Sequence, residues 1–178
     1  MTDNQNIFSN TSSNPKKKLA VLIDPDKVDD FILSGLAKKI EAAHVDYVLV
    51  GGSLMVHQNF ENTIQQLKKK VTCPVIIFPG HAMQVSKSAD ALLLLSLISG
   101  RNADLLIGQQ VHAAPMLKQS GLTILPTGYL LIDGGAPTTV SYISNTQPIP
   151  ANKPEITACT ALAGELLGLQ NIFDLLRS

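Results

Sequence analysis

Four residues near the start of the chain have the chemistry to handle a charged ligand. Asp24 and Lys27 come directly after one apolar run, and Gly52 and Ser53 come directly after the next. A carboxylate and a hydroxyl are ligands for a hard cation such as Mg²⁺, and a lysine ammonium attracts a phosphate. Glycine lets backbone N–H groups approach an anion closely. The pattern favours metal-assisted handling of a phosphate or diphosphate.

Each of these residues also has an ordinary structural explanation, which the residues alone leave open. Asp24 or Asp26 can cap the helix that follows it, and Ser53 can do the same for the next segment. Most glycine pairs, such as the one ending at Gly52, only form turns. The functional interpretation gains weight because Asp24 and Ser53 follow successive strands and are expected at one rim.

Further polar residues follow the later apolar runs. His81 could touch a phosphate, although a loop histidine more often faces solvent, and Arg101 and Asn102 suit a rigid turn or ligand contacts equally well. Tyr129 and Tyr142 could line the mouth of a binding site. The sequence offers no Ser-His-Asp or Cys-His set, so hydrolysis by a side-chain nucleophile is not favoured.

Apolar runs and helical stripes alternate along the chain and position these residues. The predicted strands are residues 19–24, 46–50, 74–78, 91–96 and 122–132, and 172–176 is a weak sixth. The predicted helices are residues 27–43, 56–70, 103–119 and 154–167. Only residues 81–90 separate the third and fourth strands, and Pro115 should kink or break its helix. Residues 133–152 are expected to be irregular.

This alternation predicts an α/β fold with parallel strands. An open doubly wound sheet is disfavoured because no GxGxxG motif follows the first strand. A TIM (β/α)8 barrel is favoured because the polar residues cluster just after the strands, where barrels place their active sites. A full barrel has eight strands and about 250 residues, so this chain should hold an incomplete one of about five to six strands.

Composition narrows the partners and the compartment. The chain has 178 residues, 14 basic and 14 acidic, and 4% aromatic residues with no Trp. It therefore lacks the positive charge and the stacking side chains expected of a nucleic-acid binder. Cys73 and Cys159 are far apart and fit buried, reduced thiols in a cytoplasmic protein. Residues 1–17 predict a disordered tail without a secretion signal, and no apolar run is long enough to cross a membrane.

Six segments together resemble the geranylgeranylglyceryl phosphate synthase family, including its bacterial prenylglyceryl phosphate synthases. They are LIDPDK (22–27), DYVLVGGSL (46–54), PVIIFPG (74–80), ADALLLLSLISGRNADLLIG (89–108), PTGYLLIDGG (126–135) and SYISNTQPIPANKPEITACTALAGELLG (141–168). Their order and spacing match the family throughout, so the resemblance covers residues 18–168.

The resemblance implies a TIM-barrel prenyltransferase for ether phospholipid synthesis. Members of the family join a long allylic diphosphate, such as geranylgeranyl diphosphate, to the 3-hydroxyl of sn-glycerol 1-phosphate with Mg²⁺. The family's metal positions correspond to Asp24 and Ser53. Tyr129 corresponds to a tyrosine that lines the substrate cleft, and Lys27 and Gly52 are expected to contact substrate. A homo-oligomer is also expected.

The chain departs from the family after Gly168. Family members continue into a sixth strand of the form YLEAGSG and then into glycine turns that bind glycerol phosphate. Here residues 169–178 read LQNIFDLLRS, so the expected glutamate base is absent, and Glu165 in the preceding helix does not replace it. We interpret residues 169–178 as a divergent or frameshifted tail. The rival hypotheses are a non-catalytic remnant that binds phosphate or self-associates, and an unrelated open α/β sheet.

Overall fold

The computed structural model describes residues 7–8, 17–55 and 59–176. Most of the predicted N-terminal tail and part of the predicted second helix lie outside these ranges. The strands are β1 (Ala20–Ile23), β2 (Tyr47–Val50), β3 (Val75–Ile77), β4 (Ala91–Leu97), β5 (Thr123–Ile132) and β6 (Asn171–Leu176). The helices are α1 (Asp30–Ala42), α2 (Phe60–Lys70), α3 (Gln109–Ser120), α4 (Thr139–Ser144) and α5 (Pro154–Leu166).

The six strands form one sheet in the order β1-β2-β3-β4-β5-β6. The neighbouring pairs β1–β2, β2–β3, β3–β4 and β5–β6 are all parallel. The alternation of strands and helices therefore gives the predicted α/β fold. The weak sixth strand of the prediction is present, and its six residues pair with Thr127–Ile132 of β5.

By its internal contacts the chain divides into two compact units. The first takes its described residues from Met1–Gly80, Gln84–Leu92 and Met116–Ile124. Its core is aliphatic: α1 and α2 bury one stripe each, and β2 and β3 are buried along their length, whereas only Ile23 of β1 is buried. Fully buried side chains of this core are Val48, Val50, Ile64, Leu67, Val75, Ile76 and Ile77.

The second unit consists of His81–Met83, Leu93–Pro115 and Leu125–Ser178, as far as these are described. Tyr129 and Phe173 of adjacent strands meet edge to face, with ring centroids 5.6 Å apart. Leu97 and Leu131 complete the buried centre of this apolar cluster. On the other face of the strands, Gly128 and Gly164 both lie against Ile98, where a Cβ on either would approach within 3.0 Å.

Three helical predictions need correction. The first helix starts at Asp30 rather than 27, because Pro25–Lys27 form a separate 3₁₀ turn and Asp29 caps α1. The third helix begins with a π-helical segment, Asp104–Gly108. It then continues through Pro115 instead of breaking there. Val111, whose carbonyl loses its partner at Pro115, is 62% exposed, so water can replace that bond.

The predicted irregular stretch after β5 contains a helix that the sequence reading missed. Helix α4 starts at a capping box, in which the Thr138 hydroxyl accepts from the Ser141 N–H and the Ser141 hydroxyl accepts from the Thr138 N–H. Asn145 ends the helix in the left-handed conformation, with φ of 48°. The helix has only six residues, so its own hydrogen bonds stabilise it weakly and its caps matter more.

Candidate functional site

Asp24 sits where β1 ends and a 3₁₀ turn begins. Its Oδ1 accepts from the Asp26 N–H at 3.1 Å, so the carboxylate is the N-cap of that turn. Its Oδ2 lies 3.2 Å from the Lys27 ammonium. Asp24 therefore caps this 3₁₀ turn and not the helix that follows, because Asp29 is the N-cap of α1. The Asp24 carboxylate is thus paired with the ammonium of Lys27, whose side chain is 77% exposed to solvent.

Gly52 brings the end of β2 against the same carboxylate. A Cβ built on Gly52 would lie 3.0 Å from Asp24 Oδ1 and 3.3 Å from Oδ2. The Gly51 N–H donates to the Ile23 carbonyl at 3.0 Å, which holds the two strand ends side by side. Ser53 follows immediately and is exposed. The expected rim is therefore present for Asp24, Lys27, Gly52 and Ser53, all within the first unit.

The neighbouring glycines Gly51 and Gly80 allow close packing of backbone on backbone. A Cβ on Gly51 would lie 1.7 Å from the Phe78 carbonyl oxygen, and one on Gly80 would lie 2.0 Å from the Gly52 carbonyl oxygen. The chain after β2 and the chain after β3 are thus in direct contact. Only Gly52 among these glycines faces the candidate carboxylate.

The oxygen atoms of Asp24 and Ser53 suit a cation such as Mg²⁺ that is coordinated partly by the protein and partly by the substrate. Mg²⁺ in phosphate-transfer sites takes one or two protein oxygens and completes its shell with water and phosphate oxygens. Asp24 supplies a carboxylate that is 24% exposed, and Ser53 supplies an exposed hydroxyl after the neighbouring strand. The described residues contain no group of three or more His, Cys, Asp or Glu side chains that could hold an ion alone.

Tyr129 lies in the second unit and is 8% exposed. Its ring belongs to the apolar cluster with Leu97, Leu131 and Phe173. The structure therefore places Tyr129 among buried apolar side chains, and its contact with substrate stays a prediction. Tyr142, by contrast, projects from α4 and is 86% exposed.

Strand β6 carries one carboxylate among its described residues, Asp174. It pairs with Leu130 and is exposed. Its neighbours Phe173 and Leu175 pack in the apolar cluster, and side chains alternate between the faces of a strand. Asp174 therefore points away from Tyr129. Glu165 is exposed on α5.

The loops after β3 and β4 are held by their own side chains. His81 is exposed, and its Nδ1 accepts from the Met83 N–H at 3.2 Å, which agrees with a loop role. Arg101 donates to the carbonyl of Gly100 at 2.8 Å, within its own turn. Asn102 reaches further, since its side chain bonds both the start of the π segment and the end of α4. Sequence reasoning named Asn102 but had no signal for its distant partner.

Comparison with known proteins supports the fold and the lineage. The PcrB family model matches residues 14–175. A geranylgeranylglyceryl phosphate synthase of Chitinophaga pinensis is 55% identical over 168 residues, which are 94% of this chain and 67% of that protein. The Spirosoma linguale enzyme of the same name is also 55% identical and shares 64% of its length. The chain thus spans about two thirds of these relatives.

Solved structures of the same kind superpose well. A geranylgeranylglyceryl phosphate synthase from Thermoplasma acidophilum, solved with its substrate sn-glycerol-1-phosphate, gives a TM-score of 0.82 at 30% identity. The match covers 89% of this chain and 64% of that one. The wild-type protein from Thermoplasma volcanium gives 0.83 at 28% identity, covering 91% and 65%.

These likenesses confirm the α/β fold of incomplete TIM-barrel type and exclude the open doubly wound sheet. The family match runs through β6 to residue 175, beyond the point at which the sequence motifs were lost. None of the helices in the described ranges has the length and apolar character that a bilayer crossing requires. The chain belongs to the PcrB family, and its relatives at 55% identity are geranylgeranylglyceryl phosphate synthases.

Proposed function

We propose that this chain binds an allylic prenyl diphosphate with Mg²⁺ and takes part in its transfer to the 3-hydroxyl of sn-glycerol 1-phosphate. The observation that carries the proposal is the Asp24 carboxylate, which faces Gly52 where β1 and β2 end side by side. The names of the relatives support the reaction, and the carboxyl ends of barrel strands are where such folds bind their ligands. Localisation in the cytoplasm and assembly into a homo-oligomer are part of the proposal.

The reaction forms one C–O bond and breaks another. The glycerol oxygen attacks the first carbon of the allylic chain, the bond from that carbon to the diphosphate oxygen breaks, and the hydroxyl proton goes to a base or to water. Bound Mg²⁺ would neutralise the charge that builds on the departing diphosphate. Asp24 and Ser53 would hold the ion at the strand ends.

Lys27 has a defined part in this proposal. Its ammonium now lies 3.2 Å from Asp24 Oδ2, on a side chain that is 77% exposed. An exposed ion pair is weak, about 0–1 kcal/mol, so the ammonium can leave the carboxylate at little cost. We expect it to turn to the diphosphate when Asp24 takes up the metal. Because Gly52 has no side chain, the space beside the Asp24 carboxylate is not filled by a Cβ.

A second candidate is a module that binds the diphosphate end without turnover. It is favoured by strand β6, where the carboxylate of Asp174 lies on the face opposite Phe173 and Leu175. No residue of β6 that the structure describes then offers a base on the Tyr129 side. The two candidates share the Asp24 site and differ only in whether ether product forms.

Turnover with labelled glycerol 1-phosphate, geranylgeranyl diphosphate and Mg²⁺ separates the candidates. The transferase proposal predicts labelled ether product that falls by at least 100-fold in Asp24→Ala and is retained in Asp30→Asn. Asp30 is a suitable control because its carboxylate is exposed and lies in the first turn of α1. Absence of product from a folded sample that still binds the diphosphate would favour the module. Product formation that is unchanged in Asp24→Ala would contradict the assigned site.

A further inference from the structure

Asn102, in the turn after β4, is hydrogen-bonded both to the π-helical segment and to the end of α4. Its Oδ1 accepts from the Asp104 N–H at 3.1 Å, and its backbone carbonyl accepts from the N–H groups of Leu105 and Leu106, each at 3.1 Å. Its Nδ2 donates to the Ser144 carbonyl at 2.9 Å, 42 residues away. One amide side chain therefore accepts from the first N–H of the π-helical segment and donates to the last residue of α4.

The contact with α4 is reinforced by close packing. A Cβ on Gly100 would lie 2.6 Å from Thr146 Cγ2, so the turn before Asn102 lies directly against the chain that leaves α4. The hydroxyls of Ser144 and Thr146 are 2.7 Å apart and hydrogen-bonded. Ser99 accepts from the Leu131 N–H at 2.9 Å, which fixes the same turn to β5. The turn after β4 is thus a rigid support.

Helix α4 depends on this support more than most helices do. It has six residues, and two of its apolar side chains, Tyr142 and Ile143, are 86% and 51% exposed. Val140 packs against the apolar cluster of Leu97, Tyr129 and Leu131, and Ser144 is buried. A helix of this length is nevertheless not stable alone. The capping box fixes its start, whereas Asn102 fixes its end.

The support continues to the segment after β3. Gln109, next after the π-helical segment, donates from Nε2 to Asp104 Oδ2 at 3.2 Å. Its Oε1 accepts from the Ala82 N–H at 3.4 Å. Asn102, Asp104 and Gln109 therefore form a hydrogen-bonded chain from α4 to His81–Met83. Segments after β3, β4 and β5, which belong to the ligand-binding end of barrel strands, are joined by it.

We propose that Asn102 is a positioning residue that holds α4 in place through the Ser144 carbonyl. The proposal concerns the position of α4 and of Tyr142 on it. Only the expected effect on KM rests on the proposed function. Loss of the amide donor should free the end of α4 while leaving the core of the unit intact. In an active sample the consequence is a higher KM for substrate with a smaller change in kcat.

Asn102→Asp is the discriminating variant. It keeps an oxygen to accept from the Asp104 N–H but replaces the donor to Ser144 with a carboxylate oxygen that repels the carbonyl. Asn102→Ala removes the side-chain bonds to both Asp104 and Ser144 and so measures their combined effect. Thr138→Ala is the matched control, because it weakens the start of α4 through the capping box without touching Asn102.

A single tryptophan reports the outcome, since the chain has no Trp. In Tyr142→Trp, the steady-state anisotropy of the indole should fall clearly when Asn102→Asp is added, while the melting temperature by far-UV circular dichroism changes by less than about 3 °C. The anisotropy in Asn102→Gln, which retains a donor on a longer arm, should be intermediate. Anisotropy that is the same in the Asp and Asn forms would overturn the proposal. The proposal would also be overturned if the anisotropy fell equally in Asp104→Ala, in which Asn102 is intact. Neither result depends on catalysis, so failure of the proposed function leaves this test valid.

Discussion

Gly52 presents its α-carbon to the Asp24 carboxylate, and a Cβ there would lie 3.0 Å from Oδ1 and 3.1 Å from Cγ. That is tighter than an ordinary contact, so a side chain on Gly52 must displace the carboxylate or the backbone. The two residues follow adjacent parallel strands in register, with Ile23 opposite Val50. The proposed metal site therefore depends on glycine at this position as much as on the acid.

Gly52→Ala should weaken Mg²⁺-dependent diphosphate binding while it changes stability little. The carboxylate is partly exposed and can move a few tenths of an ångström, so the free energy of unfolding should fall by no more than about 1 kcal/mol. Affinity for diphosphate with Mg²⁺ should fall by about 10-fold or more, measured by isothermal titration calorimetry. Unchanged affinity would show that the carboxylate does not need its present place.

Gly51→Ala should act in the opposite way and destabilise the fold strongly. Its Cβ would lie 1.7 Å from the Phe78 carbonyl oxygen, a backbone atom that cannot move aside alone. We expect a loss of about 3 kcal/mol or more in urea denaturation. Gly35→Ala is the control, because it lies within α1 with nothing within 4 Å and should be neutral or stabilising by up to about 1 kcal/mol.

The carboxylate of Asp90 joins α2 to the start of β3. Its oxygens lie 2.7 and 2.8 Å from Lys68 Nζ, and Oδ2 also accepts from the Val75 N–H at 2.8 Å. Val75 is fully buried, so loss of that acceptor leaves a backbone donor unsatisfied. Asp90→Ala should cost about 2 kcal/mol of unfolding free energy.

Two further variants divide that cost. Lys68→Met removes only the exposed ion pair and should cost about 0.5 kcal/mol. Asp90→Asn can still accept from Val75 and should resemble Lys68→Met. Equal losses in Asp90→Ala and Lys68→Met would contradict the assignment of the larger share to the Val75 N–H.

Glu61 predicts a component of acid sensitivity. A hydrogen bond from Ser86 is the largest cause that holds the pKa of this carboxyl below its ordinary value of 4.5, with Ser88 and Gln65 adding to it and partial burial opposing. Because the folded pKa is the lower one, its contribution is complete above pH 4.5 and is lost as pH falls through the folded pKa. Glu61→Gln should therefore lose less unfolding free energy than the parent between pH 5 and pH 3. Parallel curves for the two proteins would exclude this contribution.

The strands could be predicted from sequence because each is a short apolar run closed by polar or glycine residues. β1 to β5 fall within a residue or two of the predicted bounds, and β6 is predicted only weakly because its apolar run is short and is followed at once by Arg177 and Ser178. Residues of β6 form a strand because they pair with β5, and such pairing is a tertiary property that local sequence does not show. Residues 169–178 were also the least family-like part of the sequence, so motif comparison gave them little weight.

What local patterns could not supply is the set of contacts between distant segments. Helix α4 was hidden in a stretch rich in Gly and Pro, although Thr138 and Ser141 have the spacing of a capping box. The sequence suits Asn102 equally to a turn or to ligand contacts, and it gives no sign of the partner, Ser144, which is 42 positions away. The sequence predicts Asp24 and Gly52 at successive strand ends, but the close approach of Gly52 to the Asp24 carboxylate is a tertiary contact that no local pattern shows.

Calorimetric titration of geranylgeranyl diphosphate into the whole chain, with Mg²⁺ and then with excess chelator, tests the central claim most directly. We expect binding with Mg²⁺ that weakens at least 10-fold in chelator and in Asp24→Ala, and that persists in Asp30→Asn. Affinity that is the same in Asp24→Ala as in the parent protein would contradict it.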